Sequence, residues 1–238
     1  MKLYHGTTAE LLPAISEKGI VPRGRRRGNW KQYPSRKDMV YMTVAYPLFF
    51  AFQAFQKGTH ALLVEVESDR LDEDSLHPDE DFIAQALSRQ RKCSIEDVHA
   101  EVREGLEGFQ HHWRDSLAGL GNCCHRGVVP QDAITRYCVV DLEKHKELVF
   151  VCDPQISLMN YKFCGEKYKS LVAWLFGERP DFLIGHGNNE MHFKMMEPHD
   201  PGYRAAVEAM FANREGIRVF DASDLDMSGY LGSVGSTS

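Results

Sequence analysis

Residues 3–8 read Leu-Tyr-His-Gly-Thr-Thr, and residues 40–43 read Val-Tyr-Met-Thr. Both alternate apolar and polar side chains over a length that suits a strand. In the first, His5 is followed by Gly6, a residue that lets another group approach the backbone closely. Thr7 and Glu10 stand at capping-box spacing, which predicts a helix start just past the strand. A strand that delivers a histidine and a glycine to the mouth of a helix is a ligand cradle. A buried N-terminal strand with a satisfied histidine would show the same pattern.

Working outward, residues 1–5 read as a strand and 9–18 as a short helix stopped by Gly19, with Pro13 making its first turn irregular. Residues 39–44 form the second strand. Residues 46–56 form a Phe-rich helix with Pro47 in its first turn. Residues 60–67 are a third strand. The acidic stretch 69–81 is a loop ending in Pro-Asp-Glu-Asp, a helix N-terminus loaded with acid as the dipole prefers. Helical patterns fill about 80–119, with breaks at Ser94 and Gly108. Strands are expected at 124–129, 134–142 and 148–152, and helices at 166–176 and 202–213. Residues 180–200 read as mixed loop, with a last strand at 217–220. The Gly/Ser-rich end, 226–238, reads as a flexible tail.

The 238 residues are enough to bury a real core, and 43% hydrophobic with 26% charged residues is ordinary for a globular chain. No apolar run is long enough to cross a bilayer, and no signal peptide opens the chain. Six cysteines are too sparse for a disulfide framework and suit reduced thiols in a cytoplasmic protein. His111-His112 and Cys123-Cys124-His125 lack the spacing of a metal site. Walker, dinucleotide-fingerprint and nucleophile-elbow motifs are all missing, which disfavours kinase, Rossmann and hydrolase chemistry.

The formal charge is −6, yet residues 22–37 hold seven positive charges and no negative one, with Trp30 and Tyr33 among them. Such a run is commonly a solvated loop. It also suits nucleic acid: Arg25, Arg26, Arg27 and Lys31 would release counterions from phosphate, and Trp30 would stack a base.

Taken in order, Leu-Tyr-His-Gly-Thr at 3–7, a helix ending at Gly19-Ile20, a basic loop, Val-Tyr-Met-Thr at 40–43 and an Ala-containing helix resemble the ADP-ribosyltransferase superfamily. Within it, the chain is similar to divergent bacterial members, the RNA 2′-phosphotransferases and the DarT-type nucleic-acid-modifying toxins. The likeness covers about the first 65 residues and resumes at Arg-Gly-Val-Val-Pro-Gln-Asp-Ala-Ile over 126–134. It implies an α+β fold: a split mixed or antiparallel sheet around a cleft for bent NAD, with a helical subdomain inserted at about 79–120. Residues 1–225 would form one domain.

The chemistry implied is cleavage of the ribose–nicotinamide bond through an oxocarbenium-like transition state, in which positioning and charge stabilisation do most of the work. By resemblance, His5 binds a ribose hydroxyl, the Gly6 backbone meets the nicotinamide amide, and Thr7 assists. Tyr41, with Tyr46, packs on nicotinamide, and Thr43 faces the cleft. Arg23 or Arg25 would hold the pyrophosphate. The strand glutamate of the better-known transferases has no counterpart in Cys-His-Arg-Gly-Val at 124–128. Arg126, with His125, stands there instead, and would steady anionic groups. A carboxylate could come from Glu80 or Asp132, although Glu80 also reads as an ordinary helix N-terminal acid. The implied protein is an NAD-dependent mono-ADP-ribosyltransferase acting on a nucleic acid, of the toxin or phage-defence kind, with an antitoxin as partner. The alternatives are an NAD-using RNA 2′-phosphotransferase and a catalytically inactive NAD- or ADP-ribose-binding module.

Overall fold

The computed structural model describes residues 1–25, 35–54, 60–145, 148, 161–178, 194 and 198–225. The fold is α+β. Seven strands form one sheet: β1 (Lys2–Thr8), β2 (Met39–Thr43), β3 (His60–Glu67), β4 (Leu76–Pro78), β5 (Asn122–Arg126), β6 (Ile134–Asp141) and β7 (Ile217–Asp221). Their order is β4-β5-β2-β1-β3-β6-β7, and every pairing among them is antiparallel.

The sheet is split along one seam. β1 pairs β3 over its whole length, from Lys2↔Glu67 to Thr8↔Ala61, and β2 pairs β5 from Met39↔Arg126 to Thr43↔Asn122. Between β1 and β2 the register holds only at Tyr4↔Thr43. Two sub-sheets therefore diverge, and His5 and Tyr41 lie just past their last common pair.

Cross-strand partners share a face, so the alternation sorts the core. On one face Leu3, Val40, Met42, Val64 and Cys123 pack under α1 (Leu12–Lys18) and α5 (Trp113–Leu120), through Leu12, Ile15, Trp113 and Leu117. On the other face, Tyr4, Leu63 and Cys138 pack under α2 (Pro47–Ala54), α6 (Tyr161–Leu175) and α7 (Tyr203–Ala212). Still on that face but across the seam, Met39 and Cys124 pack with α3 (Glu80–Arg91) and α4 (Ile95–Glu104), through Ile83, Ala84, Val98 and Val102. β3 runs between covered faces, and its Leu62, Leu63 and Val64 are fully buried. Each such side chain contributes about 1.5–3 kcal/mol by leaving water.

Several sequence expectations shift. β1 reaches Thr8 because β3 pairs it that far. The Thr7–Glu10 capping box does not form: Thr8 precedes a 3₁₀ turn (Ala9–Leu11) without a side-chain cap, and α1 starts only at Leu12, with Pro13 in its first turn. Gly19 ends α1 at φ +75°, as its place predicts. The acidic loop contains β4. Ser94 caps α4 in a capping box with Asp97, whereas the second helical break falls at Gly105, before a 3₁₀ segment Leu106–His112 that contains Gly108. β5 starts and stops two to three residues earlier than expected, and the chain rejoins only at the bridge Ile20↔Val129. α6 starts at Tyr161 rather than at 166. The expected strand at 148–152, save Leu148, the tail 226–238 and most of 180–200 lie outside the described residues. Among the described residues, no helix is long and apolar enough to cross a membrane.

Candidate functional site

The seam explains His5. At an unsplit junction the Tyr41 carbonyl would face a strand neighbour. Here the half-buried His5 ring meets it, with Nδ1 2.8 Å from Tyr41 O. A carbonyl only accepts, so Nδ1 carries the proton and Nε2 presents its lone pair. Among the described residues nothing bonds Nε2. Burial lowers the His5 pKa, against the opposing pull of the Tyr41 carbonyl, so the ring is neutral near pH 7.

Gly6 serves packing. A Cβ there would stand 1.8 Å from the Pro47 carbonyl oxygen and 2.8 Å from the Ala51 nitrogen. The close approach predicted for a ligand is made by the first turn of α2. Thr7 is buried beside it.

On the other side of the seam, Tyr41 leads to a carboxylate. β4 ends at Pro78, and Asp79 caps α3 by accepting from the Asp81 amide at 2.9 Å. The Asp79 amide donates to Ser116 Oγ at 3.0 Å, and that hydroxyl donates to the Asn122 carbonyl at 2.8 Å. The start of α3 is thus pinned to α5 and β5. This fixes Glu80, the first residue of α3, which is 5% exposed. Tyr41 Oη donates to Glu80 Oε1 at 2.6 Å and accepts from the Arg36 amide at 2.9 Å. Glu80 Oε2 is buried and has no hydrogen-bond partner among the described residues.

The electrostatics follow from burial. Desolvation raises the Glu80 pKa; the Tyr41 hydroxyl works against it, and the nearby Asp81 charge adds to it. Asp79 is pushed well above the usual carboxylate range by burial, then by Asp81 and Glu80. Burial and the Glu80 charge also raise the Tyr41 phenol. A buried carboxyl with a raised pKa and one oxygen unsatisfied is suited to hold or take up a proton.

The arginines are committed elsewhere. Arg126 sits at the exposed end of β5, bonds Glu107 and lies 3.7 Å from Asp38. Arg36 grips Asp38 with two bonds, at 3.2 and 3.0 Å, and reaches Glu107 at 2.9 Å and the Arg103 carbonyl at 2.9 Å. Arg126 therefore neutralises carboxylates of its own chain instead of standing ready for a ligand's anionic groups. His125 pairs in register with Val40 and Leu76, on the face opposite Tyr41. Arg23 bonds the Ser35 carbonyl through Nε at 3.0 Å and Nη2 at 2.5 Å, while Arg25 is exposed. Arg26, Arg27, Trp30, Lys31 and Tyr33 lie outside the described residues.

Two further expectations are corrected. Thr43 is fully buried; its hydroxyl donates to the Gly121 carbonyl at 2.8 Å and accepts from the Ala45 and Tyr46 amides at 3.1 and 3.0 Å. It caps the strand end, with its hydroxyl engaged by backbone groups. Tyr46 is 1% exposed, with its ring 5.2 Å from that of Tyr168 and 6.0 Å from that of Tyr161, so it belongs to the core. Asp132 is exposed on a 3₁₀ turn after Pro130, where its carbonyl serves Arg70. Of the two carboxylates nominated from sequence, Glu80 is the one bonded to Tyr41.

His5 and Tyr41 do not face each other as two walls. His5 pairs with Val64, on the α1/α5 face, and Tyr41 pairs with Cys124, on the α3/α4 face. They meet at the Tyr41 backbone, edge-on to the seam. Sequence reasoning missed Arg36, whose backbone amide fixes the phenol; it stood as one cation within the basic run.

No family model matches the sequence, and no curated protein does. Among solved structures, one titled EcPltA aligns at 10% sequence identity with a TM-score of 0.34, over 58% of this chain and 75% of that chain.

Proposed function

We propose that the protein is an NAD-dependent ADP-ribosyltransferase with a nucleic acid as acceptor, and that Glu80 is its catalytic carboxylate. The order of motifs in the first 65 residues and the seam in the sheet support this reading. The observation that carries it is Glu80: a buried carboxylate, held by Tyr41 through one oxygen and unsatisfied at the other, reached from the residue that also holds His5.

On this reading His5 and Glu80 act at the ribose end of the dinucleotide, from the two sides of the seam. Neutral His5 offers an acceptor nitrogen to a ribose hydroxyl. The Glu80 carboxylate, when ionised, stabilises the cationic ribose that forms as nicotinamide leaves, and can accept a proton from the attacking group. For the pyrophosphate, Arg25 is exposed, whereas Arg23 is engaged by Ser35. The nucleic-acid acceptor rests on the cationic stretch 22–37, and a toxin role rests on the family resemblance alone.

The test is to incubate the protein with NAD and DNA or RNA, measure free nicotinamide, and seek an added ADP-ribose on the recovered nucleic acid by mass spectrometry. Release with a modified nucleic acid is the expected result, and Glu80→Gln should lower it by roughly a hundredfold or more. Binding of NAD without nicotinamide release under any of these conditions would replace the transferase with an inactive binding module. Loss of phosphate from a 2′-phosphorylated RNA would make it a phosphotransferase.

A further inference from the structure

We infer that Tyr41 is a positioning residue that acts through Glu80, the Arg36 amide directing its hydroxyl proton onto Oε1 so that Oε2 alone is left for the ligand. This deepens the reading of Glu80 as the catalytic carboxylate and rests on it. It also replaces the stacking role that the sequence suggested for the Tyr41 ring.

The argument is one of proton count. A phenol oxygen has one proton to give. The Arg36 amide points an N–H at Tyr41 Oη from 2.9 Å, so that oxygen already accepts one bond. Glu80 Oε1 lies 2.6 Å away. If Glu80 carried its proton on Oε1, the phenol would accept twice and its own proton would need a third partner; among the described residues none is present. The proton therefore lies between Tyr41 and Oε1, donated by the phenol. A proton that Glu80 gains or loses must come and go at Oε2, the oxygen without a partner. The relay also fixes the carboxyl plane, because Glu80 is held at its backbone by the start of α3 and at Oε1 by Tyr41.

The charged and titratable groups around Glu80 are Asp79 at the cap of α3, Asp81 on α3, Arg103 on α4, Cys124 on β5 and Tyr41 on β2. Tyr41 is the one that donates a hydrogen bond to the carboxylate, and such a bond favours the ionised form.

The decisive experiment needs no turnover. With 13C-labelled glutamate, the Glu80 carboxyl resonance, assigned by its absence in Glu80→Gln, is titrated in the wild type and in Tyr41→Phe without NAD. Phenylalanine keeps the ring and removes the hydroxyl. The inflection should move to higher pH. Uniform 3-fluorotyrosine makes the phenol a stronger donor and should move it to lower pH, which keeps the question answerable if Tyr41→Phe does not fold. In turnover, Tyr41→Phe should lower kcat roughly tenfold at pH 6 and change KM for NAD less than twofold, while adding no further loss to Glu80→Gln. An unmoved carboxyl inflection in both proteins would overturn the proposal. So would a Tyr41→Phe enzyme with normal kcat, the result for a ring that merely stacks. If no protein releases nicotinamide, the transferase reading fails, and the titration still decides the link between Tyr41 and Glu80.

Discussion

His5 and Tyr41 are joined by one 2.8 Å hydrogen bond, from the imidazole Nδ1 to the backbone carbonyl, just past the last pair that β1 and β2 share. The bond satisfies a carbonyl that the split leaves without a strand neighbour. It also fixes the tautomer, so that a neutral ring presents an acceptor nitrogen at the seam.

The first prediction concerns that ring. His5→Ala should fold and release nicotinamide at least tenfold more slowly, read as free nicotinamide per unit protein. Its stability should also change with pH in a defined direction. Burial depresses the His5 pKa in the folded chain. Between that value and the unfolded value, about 6.5, the unfolded chain binds more protons. The stability tied to neutral His5 is therefore present above about pH 6.5 and lost as pH falls below it. His5→Ala should lack this part of the acid-side decline in Tm between pH 7 and 5.

Gly6→Ala should be severe for a reason unrelated to ligands. The new methyl would meet the Pro47 carbonyl and the Ala51 amide, both backbone atoms of α2, at distances no packed structure tolerates. Either α2 lifts from β1 or β1 shifts in the sheet. We expect a loss of about 3 kcal/mol or more, read by urea denaturation. A stable Gly6→Ala protein with impaired NAD binding would instead return Gly6 to a ligand-contacting role.

The apolar run Ala-Leu-Leu-Val within 60–67 and the alternation at 3–8 made the central strands legible, the first because both faces of β3 are covered. The Gly19 stop was legible because a left-handed residue must follow α1. β4 was hidden: three residues, Leu76, His77 and Pro78, carry no period, and they pair only because β5 arrives from more than forty residues away. Glu80 was visible as a helix N-terminal acid, and local sequence reads no further than that. Its burial and its bond to Tyr41 depend on how α3 is pinned by Ser116 and Asn122. Thr43, Tyr46 and Arg126 were misplaced for the same reason. A hydroxyl, a ring or a guanidinium has the same identity whether it faces a ligand or its own chain, and partners distant in sequence decide which. The likeness of order in the first 65 residues picked out two segments that meet at the seam, and it overstated how many of their side chains are free.

A second ionic group should matter for stability and leave the chemistry alone. Glu65 on β3 is 2% exposed, and Arg136 bonds both of its oxygens, with Nε at 2.8 Å from Oε1. Thr135 donates to it at 2.7 Å, and Lys2 lies 3.3 Å away. Burial pushes the Glu65 pKa up, but the Arg136 and Thr135 bonds outweigh it, and the net shift is downward. Such a carboxylate stabilises the fold above its unfolded pKa, about 4.3, and that contribution is lost as pH falls through the lower folded value. Glu65→Gln, which removes one of the two carboxylates that Arg136 holds and leaves Glu178, should cost about 2 kcal/mol at pH 7 and much less near pH 3. Thermal melts at the two pH values read the difference. Equal losses at both would mean the pair acts by shape alone.

Glu80 should show the opposite sign, and that sign separates its two readings. Burial raises its folded pKa above the unfolded value. The contribution that Glu80 makes to stability is then full below about pH 4.3, where both states hold the proton. It is lost as pH rises through the folded value, because ionising a buried carboxyl opposes folding. Glu80→Gln does not ionise, so its Tm minus that of the wild type should become more positive from pH 5 to pH 8. Each kcal/mol corresponds to about 2–4 °C for a chain of this size. An ordinary acid at an exposed helix N-terminus behaves the other way. Its charge favours the helix dipole, and removing it costs about 0.3–1 kcal/mol, felt most at high pH. A Tm difference that grows more negative toward pH 8 would therefore make Glu80 a capping charge. One that grows more positive, together with lost nicotinamide release, would be the mark of a carboxylate whose burial destabilises the fold and equips it for catalysis.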